Sequence, residues 1–168
     1  MPRPGHVVAV ASALALLVPT APAHAAPGDD AAQHSLRRDL TSENFYFVMG
    51  DRFENGDTGN DDGGLGSDPL VSGFDPTAKG FFNGGDLDGM RQRLDYVQGL
   101  GTTAIWLTPI FKNKAVQLED GPSAGYHGYW ITDFTRVDPH LGTNQDLTEL
   151  VDAAPARGMK VFFDIITN

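Results

Sequence analysis

The sequence predicts an α/β fold in which parallel strands alternate with helical crossovers. Three observations carry this. Short, continuous apolar runs lie at residues 44–51, 103–107 and 159–166, and runs of that length read as buried strands. Between them, apolar residues recur at spacings of three and four, the period of a helix face. Strands alternating with helices in this order are joined by crossovers, which in such units are right-handed. Two architectures satisfy the pattern: a doubly wound sheet and a (β/α)8 barrel. Both place ligand-binding loops after the C-terminal ends of the strands.

The chain opens as an export signal. Arg3 supplies a positive start, residues 7–18 are almost uniformly apolar, and Ala23-His24-Ala25 forms a small-residue cleavage site. The apolar run is too short for a membrane-spanning helix. Residues 1–25 are therefore expected to be removed and the protein secreted, with no membrane attachment after cleavage. The next segment, 26–43, is polar without a firm period and is expected to be a mobile lead-in.

Residues 44–168 form the folded part. Phe45, Tyr46, Phe47, Val48 and Met49 make an aromatic-rich first strand, expected to be buried on both faces. A long loop full of Gly, Asp and Asn covers 54–85. Asp88 is expected to open a helix carrying Leu87, Met90, Leu94 and Val97 on one face, stopped by Gly101. Residues 103–107 make the second strand, and 110–142 read as another long loop. Thr143 with Asp146 forms a capping box for a helix with Leu147, Leu150, Val151 and Ala154 on its apolar side. Pro155 should kink or end that helix.

Composition excludes several function classes. The net charge is −10, with no basic stripe, so nucleic acid is not an expected partner. No cysteine is present, so a disulfide framework is impossible. No Gly-x-Gly-x-x-Gly turn follows the first strand, which removes dinucleotide binding.

Three clusters of residues suggest chemistry. Asn55, Asp57, Asn60 and Asp61 sit close together with Gly56 and Gly59 between them, and Gly84 and Asp86 follow in a second short stretch. Hard cations take oxygen ligands, about six to eight for calcium. The spacing is not that of an EF-hand, because Gly59 and Asp62 fall at the third and sixth positions after Asp57 as first. The same residues also suit a solvated turn, and Asp86 suits a helix cap. The second cluster is Tyr126-His127-Gly128-Tyr129-Trp130, followed by Asp133 and Phe134. Aromatic planes match the C–H faces of sugars, while His and Asp reach their hydroxyls; an aromatic core cluster is the alternative. The third places Asp164 and Asn168 in the apolar third strand, four residues apart and so on one face. Polar residues at the C-terminal end of a barrel strand tend to be functional. An Asp that caps local backbone is the alternative there.

Taken together, these stretches resemble the α-amylase family of glycoside hydrolases from about Phe45 to Asn168. Met49-Gly50-Asp51-Arg52-Phe53 is similar to the end of the family's first barrel strand, and Thr103 to Pro109 to its second. Tyr126-His127-Gly128-Tyr129-Trp130 resembles a specific family signature. The stretch from Gly158 into Asp164 and Asn168 resembles its first conserved region, D-x-x-x-N-H, whose final His would be residue 169. The resemblance implies the N-terminal part, about three β/α units, of a TIM (β/α)8 barrel. It implies an α-glucan substrate, starch-like, bound by His127, Tyr129, Trp130 and Asp164. Tyr129 would stack on a glucose ring, His127 would bond a hydroxyl, Trp130 would buttress the site, and Asp164 would orient neighbouring groups. It implies Ca2+ as cofactor, one ion held by Asn55, Asp57, Asn60, Asp61, Gly84 and Asp86, and another with Asn168 as ligand. The full-length protein is expected to be a monomer.

The family's retaining mechanism uses two carboxyl groups about 5–5.5 Å apart. The resemblance places them after strands that lie beyond this chain, so no catalytic residue is assigned within it. Hydrolysis is the leading reading. Transglycosylation of the cyclodextrin-forming type is a second, and a secreted, non-catalytic glucan- or calcium-binding protein is a third. The 168-residue chain alone is expected to give no reducing sugar from starch; measurable turnover by the purified chain would contradict the assignment of the acidic pair to later strands.

Overall fold

The computed structural model describes residues 39–166. The leader, most of the lead-in and Asn168 lie outside the described residues. Three strands form one parallel sheet: β1 (Phe45–Val48), β2 (Ala104–Leu107) and β7 (Lys160–Phe163), in the order β1-β2-β7. Phe47, Trp106 and Phe162 stand in register, as do Val48, Leu107 and Phe163. Parallel pairing requires crossovers, and the helices supply them.

The two faces of this sheet differ. Val48, Ile105 and Leu107 are buried against Leu87, Met90, Leu94, Val97, Leu150 and Met159. On the other face Phe45, Phe47 and Trp106 are exposed among the described residues. Those rings cover one another: Phe45 meets Phe162 at 5.3 Å and Phe47 meets Trp106 at 5.2 Å. The expectation of a first strand buried on both faces is thus corrected. A face of large apolar side chains on a parallel sheet is what a closed barrel turns to its interior.

The first crossover is not one helix. Asp86, rather than Asp88, caps it, accepting from the Gly89 N–H. Helix α2 (Leu87–Gln92) gives way at Arg93 (φ −99°, ψ 11°) to α3 (Leu94–Gly99). The apolar stripe nevertheless survives the break, since Leu87, Met90, Leu94 and Val97 are all fully buried. Gly101 follows in the left-handed region, where a residue without Cβ is favoured. An earlier short helix, α1 (Pro69–Ser72), interrupts the first long loop. The second crossover helix, α4 (Asn144–Ala153), has the expected Thr143–Asp146 capping box. Pro155 ends it and starts a 3-10 turn.

The segment expected as a loop at 110–142 holds four strands. Strand β3 (Phe111–Asn113) pairs antiparallel with β6 (Ile131–Val137), and β4 (Val116–Gln117) with β5 (Ser123–Ala124). One buried carboxylate ties this excursion down. Asp138 accepts from the Asn113 N–H at 2.7 Å and contacts His140 Nδ1 at 2.8 Å. His140 reaches the Ser72 carbonyl at 2.7 Å through Nε2 and stacks on Phe82 at 3.9 Å.

The end of the lead-in makes contacts with the fold. Asp39 caps a 3-10 turn at Leu40–Ser42, and Glu43 pairs with buried Lys160 at 3.1 Å. In the third strand, Asp164 stands just past the last paired residue rather than inside the strand, donating its N–H to the Leu107 carbonyl at 2.9 Å.

Ile105 occupies the centre of the sheet and is fully buried. Truncating it to Ala in the full-length protein should cost about 2–5 kcal/mol, read from the denaturant midpoint; a loss near zero would contradict this placement of the core.

Candidate active site and cation loop

Because β1, β2 and β7 run parallel, the chain leaving each one emerges on the same side of the sheet. The Tyr126–Trp130 segment comes from the excursion after β2, and Asp164 from the end of β7. They meet directly: the Tyr129 hydroxyl donates to Asp164 Oδ2 at 2.5 Å. That bond, with some burial, holds the Tyr129 phenol above its ordinary pKa. Tyr129 as a residue remains 41% exposed, so the bond to Asp164 does not bury it.

His127 is enclosed by rings. Trp130 meets it edge-on at 4.6 Å, Tyr126 edge-on at 5.3 Å, and Tyr129 nearly parallel at 5.7 Å. The Tyr129 N–H donates to His127 Nδ1 at 3.0 Å. Nδ1 must therefore carry a lone pair, which leaves the proton of the neutral ring on Nε2. Burial lowers the His127 pKa and favours that neutral form.

Local backbone dictates the loop's shape. Gly128 has φ 86°, and a Cβ there would lie 2.0 Å from the Pro109 carbonyl oxygen. No other residue fits. Trp130 is fixed by its N–H to Asn113 Oδ1 at 2.7 Å and its carbonyl to the Lys114 N–H at 2.9 Å. Asn113 is itself held by Asp138. Sequence reading missed Asn113 and Asp138; the polar residue inside β3 was the available signal. Asp133 and Phe134, by contrast, do not join the aromatic cluster. Asp133 accepts from Thr135, which lowers its pKa, and Phe134 packs on Phe111 at 5.8 Å.

The oxygen-rich loop also assembles, though around Asp86. This buried carboxylate accepts from the N–H groups of Gly56, Asp57 (2.8 Å) and Gly89 and from Asn60 Nδ2 at 3.3 Å. Its capping role is thus real, and the loop is wrapped onto the same group. Asn55 Nδ2 donates to Asp61 Oδ1 at 2.7 Å. Both crowd Gly84, where a Cβ would lie 2.6 Å from Asn55 Nδ2 and 2.8 Å from Asp61 Oδ1. Burial raises the Asp61 carboxyl pKa, and the charges of Asp86, Asp57 and Asp62 raise it further, against the Asn55 bond. Asn60 Oδ1 is buried with no hydrogen-bond partner. Asp57 turns instead to the Gly59 N–H at 2.8 Å. Among the described residues, no three His, Cys, Asp or Glu side chains stand at metal-holding distances. A cation here would therefore lean on amide and carbonyl oxygens. An orphaned amide oxygen, a repelled carboxylate and a glycine that leaves the space open fit that role.

Comparison with known proteins agrees with this architecture. The family model "Alpha amylase, catalytic domain" matches residues 47–168. An alpha-amylase of Streptomyces lividans is 53% identical over 99% of this chain and 19% of its own length. A periplasmic alpha-amylase of Escherichia coli (strain K12) is 40% identical over 73% of this chain and 18% of its own. The crystal structure of CldA, a cyclomaltodextrin glucanotransferase, superposes with a TM-score of 0.65 at 42% identity, over 74% of this chain and 25% of that one. The chain thus spans about a fifth of the curated relatives it matches. With three parallel strands, their crossovers and their loops in common with such barrels, this chain belongs to the alpha-amylase family and forms part of its catalytic (β/α)8 barrel.

Proposed function

We propose that the full-length protein is an exported α-glucan hydrolase of the retaining type, and that residues 39–166 supply part of its sugar-binding wall. The observation that carries this is the Tyr129–Asp164 bond beside a neutral, ring-enclosed His127. A glucose ring would lay its C–H face on the Tyr129 ring. Asp164 fixes that ring's orientation by holding its hydroxyl. His127 Nε2–H would donate to a sugar hydroxyl, with Trp130 limiting the tilt of the imidazole. Residues 39–166 are given no nucleophile or acid of the double displacement in this reading; their part is to position substrate.

Transglycosylation is the second reading, favoured by the 42% identity to the glucanotransferase CldA. Export is supported by the leader pattern and by the periplasmic designation of the Escherichia coli relative. Among the described residues no helix is long and apolar enough to cross a membrane.

The same reading gives Asn55, Asp57, Asn60, Asp61, Gly84 and Asp86 to a calcium ion, and Asn168 to a second ion. Calcium would supply positive charge where the carboxylates of the loop repel one another. The loop's own residues then join the end of β1 to the start of α2.

In the full-length protein, His127→Gln should lower kcat/KM on maltooligosaccharides roughly three- to tenfold, the worth of one hydrogen bond. The sign with pH is fixed by the lowered pKa. The native state favours neutral His127, so its contribution to stability is full above the ordinary His pKa of about 6.5 and declines as pH falls below it. An NMR titration of His127 with a midpoint above that value would overturn the assignment. For the cation, Asp61→Asn should shrink the gain in Tm that calcium gives over a chelator, yet leave the chelated Tm unchanged or higher, because a repelled charge is removed. An equal calcium gain in both proteins would rule Asp61 out as a ligand.

A further inference from the structure

Arg52 lies outside every cluster singled out for chemistry, yet its guanidinium is engaged on three sides. It closes the 3-10 turn Gly50–Arg52 at the exit of β1. Its Nη2 donates to the carbonyls of Lys79 at 2.9 Å and Phe81 at 2.8 Å. Its Nε lies 3.0 Å from Asp51 Oδ2, an ion pair rather than an aligned hydrogen bond, since that oxygen has no hydrogen-bond partner. The flat face of the guanidinium covers the Tyr126 ring, with its central carbon 4.1 Å from the ring centroid. Tyr126 in turn meets His127 edge-on at 5.3 Å.

We propose that Arg52 is a positioning residue for the sugar-facing loop: its guanidinium is the seat on which Tyr126, and through it His127, is held. The chemistry is specific to arginine. A planar, delocalised cation stacks on a ring while its edge N–H groups bond elsewhere, whereas an ammonium is a compact point charge that serves one purpose at a time. The seat is itself rigid because Asp51 is buried and pinned. Asp51 Oδ1 accepts from the N–H groups of Asn83 at 2.8 Å and Gly84 at 3.2 Å. Three separate loops, at 49–53, 79–84 and 126–130, therefore converge on one side chain. The catalytic consequence rests on the glucan-binding reading of His127 and Tyr129; the mechanical claim does not.

The test uses the full-length protein with Arg52→Lys, Tyr126→Leu and the double variant. Hydrogen exchange reports on the loop through the amides of Gly128, Tyr129 and Trp130, which are bonded to Gly125 O, His127 Nδ1 and Asn113 Oδ1. Arg52→Lys should speed their exchange and raise KM for maltooligosaccharides roughly tenfold while kcat changes less. In the exchange of these three amides the double variant should be no worse than Tyr126→Leu alone, because the Arg52–Tyr126 contact is the route by which Arg52 reaches them. Unchanged exchange at these amides in folded Arg52→Lys, or fully additive effects in the double variant, would overturn the proposal. Should Arg52→Lys not fold, Tyr126→Leu decides, since it leaves every polar partner of Arg52 in place: faster exchange supports the seat and unchanged exchange removes it. Faster exchange in a protein whose wild type does not turn over α-glucans would keep the seat and dismiss the glucan reading.

Discussion

Everything at the candidate site depends on the parallel, in-register pairing of β1, β2 and β7. Parallel pairing sends all three chain exits to one side of the sheet, and register sets how far apart they stand. Tyr129 and Asp164 are 35 residues apart in sequence, yet they share a hydrogen bond because the excursion after β2 returns Tyr129 to the exit of β7. A register slip of one residue would turn Ile105 and Leu107 outward and Trp106 inward, and would remove Asp164 from reach. The sheet's core and the site's geometry are therefore one constraint.

The excursions between strands are long, and apolar packing alone does not hold them. Buried carboxylates do. Asp86 gathers the backbone of 56–57 and the start of α2; Asp138 gathers β3 and the turn at 138–140; Asp51 gathers 83–84 and Arg52. Each has taken over N–H groups that a loop would otherwise leave unpaired, which is how an irregular segment can approach a core without an uncompensated desolvation cost. The cost appears where partners run out. Asp51 keeps one oxygen without an aligned bond and is driven toward protonation by burial, with backbone N–H groups and Arg52 acting against that.

How much of this could be read in the sequence follows from which forces are local. The strands and the Thr143 cap were legible because apolar runs and capping boxes are short-range patterns. The exposure of Phe45, Phe47 and Trp106 was not, because an aromatic strand face reads in sequence as buried whether or not an element of the same stretch covers it. The break at Arg93 was invisible for a similar reason: the apolar stripe continues through it unbroken. Strands β3 and β6 were missed because β6 is largely exposed and carries little period-two signal. Among site residues, Tyr126, His127, Tyr129 and Trp130 were legible as a contiguous motif. Asn113, Asp138 and Arg52 act across separations of 17 residues or more, for which a single sequence holds no pattern.

Asp51 shows why those long-range residues matter together. One of its oxygens accepts from the Gly84 N–H; the other faces Arg52, whose guanidinium lies over the Tyr126 ring. A buried carboxylate cannot strengthen its bonds on one side without changing its electrostatic balance on the other, since both compete for a single negative charge in a poorly screened setting. Asp51 is thus a contact shared by the 83–84 stretch and by Arg52, so the two loops that flank it are built around the same buried carboxylate.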